Sequence, residues 1–301
     1  LFFLIRFEWR RRNEVEVILS KSLGFCSGVG HVISLAEECF RIATEKQLPV
    51  YSIGWFIHNQ RVVDCFIARG MRHIEHPEEG SPGVALIRAH GIPDTLRQSF
   101  LDAGYFLVDG TCHNVAYSQN IIRNTPAGTT IVIAGIVGHS EVVALSGLWD
   151  GAGKPVPVLV VESAHDVSLL PDLSGECLLM TQTTLPAVQY KEISNAMKER
   201  FGQRLTIGNH LCPGALRRNK ALIDLCSQVE AVVVVGGLKS ANTTALARIV
   251  AEQGLPVWHI ESAQDVVPQM RAFERIGLTA GTSTPQNDID EVHQALKGET
   301  T

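Results

Sequence analysis

Gly24-Phe25-Cys26-Ser27-Gly28-Val29 follows a strand-like run, Val15-Glu16-Val17-Ile18-Leu19, and precedes a helix-like run from about Ile33 to Thr44. The cysteine therefore sits in a glycine-bounded turn where a strand ends and a helix begins. Backbone N–H groups point outward from such a turn, and the helix dipole favours a thiolate over a thiol. A single cysteine of this kind is more often a buried packing residue. Here the arrangement occurs three times.

Tyr105-Phe106-Leu107-Val108 leads to Gly110-Thr111-Cys112, and Leu205-Thr206-Ile207 leads to His210-Leu211-Cys212. After each cysteine come a helix-like segment and an apolar strand: Pro49-Val50-Tyr51-Ser52-Ile53, Thr130-Ile131-Val132-Ile133-Ala134 and Ala231-Val232-Val233-Val234-Val235. Beyond these strands lie His58-Asn59, His139-Ser140-Glu141 and Ser240-Ala241-Asn242. Further on, Val161-Glu162-Ser163-Ala164-His165-Asp166-Val167 is nearly duplicated by Ile260-Glu261-Ser262-Ala263-Gln264-Asp265-Val266, and Ile74-Glu75-His76-Pro77-Glu78 is a weaker first copy. A last strand closes each unit and ends at His90-Gly91, Thr183-Thr184 or Thr282-Ser283. Self-similarity of this kind signals a repeated architecture.

Short continuous apolar strands separated by helices read as parallel sheets covered on both faces. The expected fold is α/β: three similar small parallel-sheet β/α domains, 14–101, 102–202 and 203–299, with right-handed crossovers. Ligands of such sheets sit beyond the carboxyl ends of the strands, where the polar residues fall. A pseudo-threefold packing would turn the three ends towards one centre, each domain lending one cysteine and two polar loops.

Composition narrows the function. With 301 residues, 45% hydrophobic and 19% charged, the chain fits a globular protein with a substantial core. Its net charge of −5 offers no overall basic field for nucleic acid. The seven cysteines are odd in number and widely spaced, without C-x-x-C. That argues against a disulfide framework and a zinc ribbon, and for a reducing, cytoplasmic setting. Cys39, Cys65, Cys177 and Cys226 fall out of register with the repeat and read as packing residues. Phe2-Phe3-Leu4-Ile5 precedes Arg10-Arg11-Arg12, the reverse of a secretory signal, and is too short to span a bilayer. No membrane partner is expected, and residues up to about Asn13 read as an extension. Gly28-Val29-Gly30 begins a dinucleotide fingerprint, but Ile33 stands where the third glycine belongs, and no Walker-type loop is present.

Three cysteines converging from three domains require a soft, electron-rich partner. Zinc and an iron–sulfur cluster both qualify, and the long separations do not choose between them; the rival readings are a structural zinc or three unrelated core cysteines. A cubane held by three cysteines leaves one iron open for Lewis-acid and electron-transfer chemistry. His58, His90, His139, Ser240, Asn242 and Ser283 form a compact hydrogen-bonding set without an Arg/Lys clamp, suited to phosphate or diphosphate. Glu141 lies two residues after His139. At the mouth of a buried cavity its pKa would rise, so that it could pass a proton to a leaving hydroxyl, with Thr183 or Thr184 orienting the path.

The ordered set Gly24-Phe25-Cys26-Ser27-Gly28-Val29, His58-Asn59, Ala89-His90-Gly91, Thr111-Cys112, Gly138-His139-Ser140-Glu141-Val142, Thr181-Gln182-Thr183-Thr184-Leu185 and Thr279-Ala280-Gly281-Thr282-Ser283 resembles the 4-hydroxy-3-methylbut-2-enyl diphosphate reductase family (LytB/IspH). The resemblance runs from about Val15 to Leu296. It implies a three-domain α/β fold around a [4Fe–4S] cluster ligated by Cys26, Cys112 and Cys212. It also implies diphosphate binding by His58, His90, His139, Ser240, Asn242 and Ser283, and proton donation by Glu141 supported by Thr183. The implied reaction removes an allylic hydroxyl with two electrons and two protons, releasing water. Its products are isopentenyl and dimethylallyl diphosphate, isoprenoid precursors of the methylerythritol phosphate pathway. Ferredoxin, flavodoxin or a similar protein would supply the electrons.

Several positions depart from the family pattern. Two adjacent serines become Ser240-Ala241, with Thr243 the nearest substitute hydroxyl. An arginine becomes His31, a proline becomes His113, and the third-cysteine loop reads Cys212-Pro213-Gly214-Ala215, with Arg218 kept. Two other readings stand beside the reductase: a same-fold iron–sulfur reductase of another allylic or hydroxylated substrate, and a non-catalytic cluster-based redox sensor.

Overall fold

The computed structural model describes residues 15–57, 59–209, 211–238 and 240–298. The expectations placed on His58, on the extension up to Asn13 and on the side chain of Ala241 lie outside what it describes. Two compact units are formed: one from Cys26 to Leu216, the other from the segment ending at Phe25 together with everything from Arg217 onward.

The fold is α/β. Among the described residues, three four-stranded sheets form, and every ladder between their strands is parallel. β1 (Glu16–Leu19) leads into Cys26. The unit beginning at Cys26 holds two sheets. In the first, β2 (Val50–Ile53), β3 (Met71–Ile74), β4 (Val84–Ile87) and β5 (Phe106–Asp109) lie in the order β3-β2-β4-β5. In the second, β6 (Thr130–Ala134), β7 (Val158–Val161), β8 (Cys177–Thr181) and β9 (Leu205–Ile207) lie in the order β7-β6-β8-β9. The other unit holds β10 (Ala231–Val235), β11 (Val257–Ile260) and β12 (Arg275–Ala280) in the order β1-β12-β10-β11.

The strand entering each cysteine turn is thus always an edge strand. β5 pairs with β4, β9 with β8, and β1 with β12, where Leu19 stands opposite Leu278. Each cysteine leaves the carboxyl end of a sheet edge.

Period-two alternation explains the unbroken apolar strands. Val50, Val84 and Leu86 enter one core with α1 (Ser27–Lys46) and α2 (Gln60–Ala68). Tyr51, Ile53, Ala85 and Ile87 enter another with Phe100 of α3 (Asp94–Asp102). In the second sheet, Ile131, Ile133 and Met180 pack with α4 (His113–Arg123) and α5 (Ser140–Ser146). Val132, Ala134 and Leu179 pack with α6 (Ala164–Leu169) and α7 (Ala187–Phe201). In the third, Val232 and Val234 meet α8 (Pro213–Cys226) and α9 (Ala241–Glu252), while Val233, Val235 and Leu278 meet α10 (Gln286–Lys297). No described helix is long and apolar enough to cross a membrane.

The duplicated Glu-Ser-Ala-x-Asp motif has a positional role. Glu162 Oε1 accepts the Val137 N–H at 2.6 Å, and Glu261 Oε1 accepts the Leu238 N–H at 2.9 Å. Each glutamate braces the loop after a central strand, two residues before His139 and Ser240 respectively. Asp166 and Asp265 close capping boxes with Ser163 and Ser262, which fix the glutamates' own turns.

Cys39, Cys177 and Cys226 are buried, and burial pushes the first two thiols up to about 12 and about 11. These three pack as expected. Cys65 differs: it is exposed, because α2 buries Val63 and Phe66 and turns the intervening position outward.

Candidate active site

Cys26, Cys112 and Cys212 stand immediately before α1, α4 and α8. All three are free and half-buried, and all belong to the unit beginning at Cys26. Cys26 caps its helix, its Sγ accepting the Val29 N–H at 3.4 Å. The Cys112 N–H donates to Ala89 O at 2.9 Å, beside His90. The Cys212 N–H donates to Thr183 O at 2.7 Å, and Cys212 Sγ accepts Asn114 Nδ2 at 3.4 Å. Burial pushes the Cys112 thiol up, the backbone N–H groups of Asn114 and Val115 oppose this, and repulsion from Cys26 and Cys212 adds to it.

Gly28 explains how the first two sulfurs come close. A Cβ built there would lie 2.6 Å from Cys112 Sγ and 3.9 Å from Cys26 Sγ. No side chain fits without displacing a sulfur. Alanine is a better helix former than glycine, so Gly28→Ala should leave the fold intact while pushing Cys112 aside. The expected outcome is a severalfold loss of bound iron after anaerobic reconstitution with unchanged circular dichroism, read by iron analysis.

Glu141 lies in the first turn of α5 and is 1% exposed. Its Oε1 accepts the Thr183 N–H at 2.7 Å and its Oε2 accepts Thr183 Oγ1 at 2.9 Å. Burial pushes its pKa from 4.5 up to about 7, although both Thr183 bonds pull it down. Thr183 thus holds both oxygens of a buried carboxyl. Thr184 acts elsewhere. Its Oγ1 accepts Gln182 Nε2 at 3.0 Å, while Gln182 Oε1 holds the Ile136 N–H. Thr183 therefore links the carboxyl of Glu141 to the backbone of Cys212.

His139 caps α5, its Nδ1 accepting the Glu141 N–H at 3.1 Å. In the neutral ring the proton then sits on Nε2, leaving that nitrogen a donor. The His90 and His139 rings meet edge to face, 5.4 Å apart. Of the other expected anion-binding residues, Ser240, Asn242 and Ser283 lie in the other unit. Ser240 caps α9, its buried Oγ accepting the Thr243 N–H at 3.3 Å, and Ser283 is buried just beyond β12. The buried Nδ2 of Asn242 has no hydrogen-bond partner among the described residues. Thr243 is fully buried, and a Cβ at Gly281 would meet its Oγ1 at 2.2 Å, so its hydroxyl is packed against the strand end. Buried Arg218 donates to Ala280 O and Gly24 O, both at 2.8 Å, tying the ends of β12 and β1 together.

Among the described residues, no three His, Cys, Asp or Glu side chains gather as ligands of one metal ion. A cubane makes a different demand, since each sulfur binds its own iron. Three free thiols at three helix N-termini, with Gly28 between the first two and one amide donor at the third, are residues that could hold such a group. Asn114 escaped the sequence reading, as did the buried network of Ser118, Asn209 and Thr181 behind it. Nothing local in the sequence marks either; only the folded chain brings them to Cys212.

Three parallel sheets, with a buried carboxyl tied through Thr183 to the backbone of one of three cysteines at helix starts, define the class as an α/β oxidoreductase. More specifically, the chain belongs to the LytB protein family, whose match spans residues 17–297. It is 31% identical to the 4-hydroxy-3-methylbut-2-enyl diphosphate reductase of Treponema denticola, over 91% of this chain and 96% of the relative. It is 33% identical to the protein of that name from Solidesulfovibrio magneticus, over 94% and 99%. Among solved structures, (E)-4-hydroxy-3-methyl-but-2-enyl diphosphate reductase, the terminal enzyme of the non-mevalonate pathway, superposes with a TM-score of 0.72 at 27% identity, covering 94% of this chain and 99% of that one. The Plasmodium falciparum reductase shares the fold at a TM-score of 0.83 and 24% identity, covering 94% and 88%.

Proposed function

We propose that the chain reduces 4-hydroxy-3-methylbut-2-enyl diphosphate, replacing its allylic hydroxyl by hydrogen to give isopentenyl and dimethylallyl diphosphate. The observation that carries this reading is Glu141, buried and held through both oxygens by Thr183, whose carbonyl in turn holds Cys212. Relatives bearing that name, matched along nearly their whole length, support the choice of substrate.

A [4Fe–4S] cluster on Cys26, Cys112 and Cys212 belongs to the same proposal; when bound, it supplies electrons and an open coordination position. Protein groups do the rest. His58, His90, His139, Ser240, Asn242 and Ser283 are the proposed diphosphate-binding residues; His139 Nδ1 is taken up by the Glu141 N–H, and Asn242 Nδ2 has no hydrogen-bond partner among the described residues. Glu141, protonated near neutral pH, donates its proton towards the departing hydroxyl, which leaves as water. Thr183 keeps the carboxyl aimed, because its N–H holds Oε1 while its hydroxyl contacts Oε2. Two electrons and two protons balance the exchange of hydroxyl for hydrogen. A ferredoxin- or flavodoxin-type donor brings the electrons, and the free state of all seven cysteines fits a reducing cytoplasm.

The test is anaerobic incubation of the reconstituted protein with the hydroxylated diphosphate and a strong reductant. Both isoprenoid products are expected; neither appearing with an intact cluster rejects the proposal. A panel of other allylic alcohols under identical reduction separates the same-fold alternative raised by Ser240-Ala241. A redox sensor has no use for a buried proton donor beside its cluster, so turnover also disposes of that reading.

A further inference from the structure

We infer that Asn114 is a positioning residue that raises the reduction potential of the cluster by donating its amide N–H to the Cys212 sulfur, an inference that rests on the cluster reading above. Asn114 is the second residue of α4, so one helical turn carries both Cys112 and a donor to Cys212. Its Nδ2 lies 3.4 Å from Cys212 Sγ. A metal-bound thiolate carries no proton and accepts only, so the amide nitrogen, not the oxygen, is the end that belongs there.

Both partners are anchored. Asn114 O accepts the Ser118 hydroxyl at 3.2 Å, and Ser118 Oγ accepts Asn209 Nδ2 at 2.8 Å. Asn209 is fastened to the end of β8, its Oδ1 accepting the Thr181 N–H at 2.7 Å and its Nδ2 donating to Thr181 O at 2.8 Å. Ser118 and Thr181 are fully buried, and Asn209 nearly so. Cys212 hangs from the same segment, its N–H on Thr183 O. The backbone that carries the donor and the backbone that carries the sulfur are therefore tied to one strand end.

Reduction adds negative charge to the cluster and its sulfurs. A donated N–H stabilises that charge more in the reduced state than in the oxidised one, which raises the potential. Removing the donor lowers it, and placing a carboxylate there lowers it further.

The test compares wild type with Asn114→Leu and the near-isosteric Asn114→Asp, each reconstituted anaerobically. Iron and sulfide content, circular dichroism and the midpoint potential from a mediated titration are measured. Equal loading and fold are expected, with the potential falling from wild type to Leu to Asp. Unchanged potentials in both loaded variants overturn the inference and leave the cluster reading intact. Cluster loss from both folded variants overturns it too, making Asn114 a requirement for assembly. A wild-type protein that holds no cluster sinks the cluster reading itself, and this inference with it.

Discussion

Glu141→Gln is expected to lower turnover by roughly 10²–10⁴-fold while the cluster stays bound. Glutamine keeps the shape and an oxygen for the Thr183 N–H, but it has no proton to give. The iron content and visible spectrum should therefore match wild type while product formation collapses. The wild-type pH profile should agree: the acid form is needed and burial raises its pKa to about 7, so turnover should decline as pH rises through that value. Stability carries the same signature with a definite sign. Folded Glu141 holds its proton more tightly than in the unfolded chain, so its contribution is full below about 4.5 and is lost as pH rises towards about 7. That gap corresponds to about 3 kcal/mol. Urea titrations of the two apoproteins should therefore show the wild type losing ground to Glu141→Gln by that order between pH 4.5 and 8. A flat difference would mean that the carboxyl is not desolvated as the structure shows.

Cys112→Ser is the second large effect. The hydroxyl that replaces Sγ is a hard, weakly acidic donor, poorly matched to iron in a cluster. Its backbone N–H still reaches Ala89, so the helix start survives. Bound iron and turnover should both fall to background while the secondary structure is kept. Cys65→Ser is the control, because that thiol is exposed and on α2; it should leave both unchanged. If Cys112→Ser retained full iron, the sulfurs at the three helix starts would not be the ligands.

The repeat made the strands, the three cysteine turns and the parallel class readable, because each rests on local pattern: apolar runs of strand length, glycine-bounded turns and a duplicated Glu-Ser-Ala-x-Asp. Pairing was less legible. β5 and β9 are as short and apolar as their neighbours, and nothing local says that each joins the sheet before it. The pairing of β1 with β12 is likewise invisible, since the two lie at opposite ends of the chain. The same limit hid the polar contacts of the site. A glutamate in the first turn of a helix reads equally well as solvated, and only tertiary burial gives Glu141 its raised pKa. Asn114 looks like any helix-start asparagine until Cys212 arrives from far along the sequence.

Mössbauer spectroscopy on the anaerobically reconstituted protein, with and without the hydroxylated diphosphate, tests the central claim most directly. The expected result is a four-iron cluster in which one iron, and only one, changes its spectrum when substrate is added. Four equivalent irons indifferent to substrate, or zinc in place of iron, would contradict it.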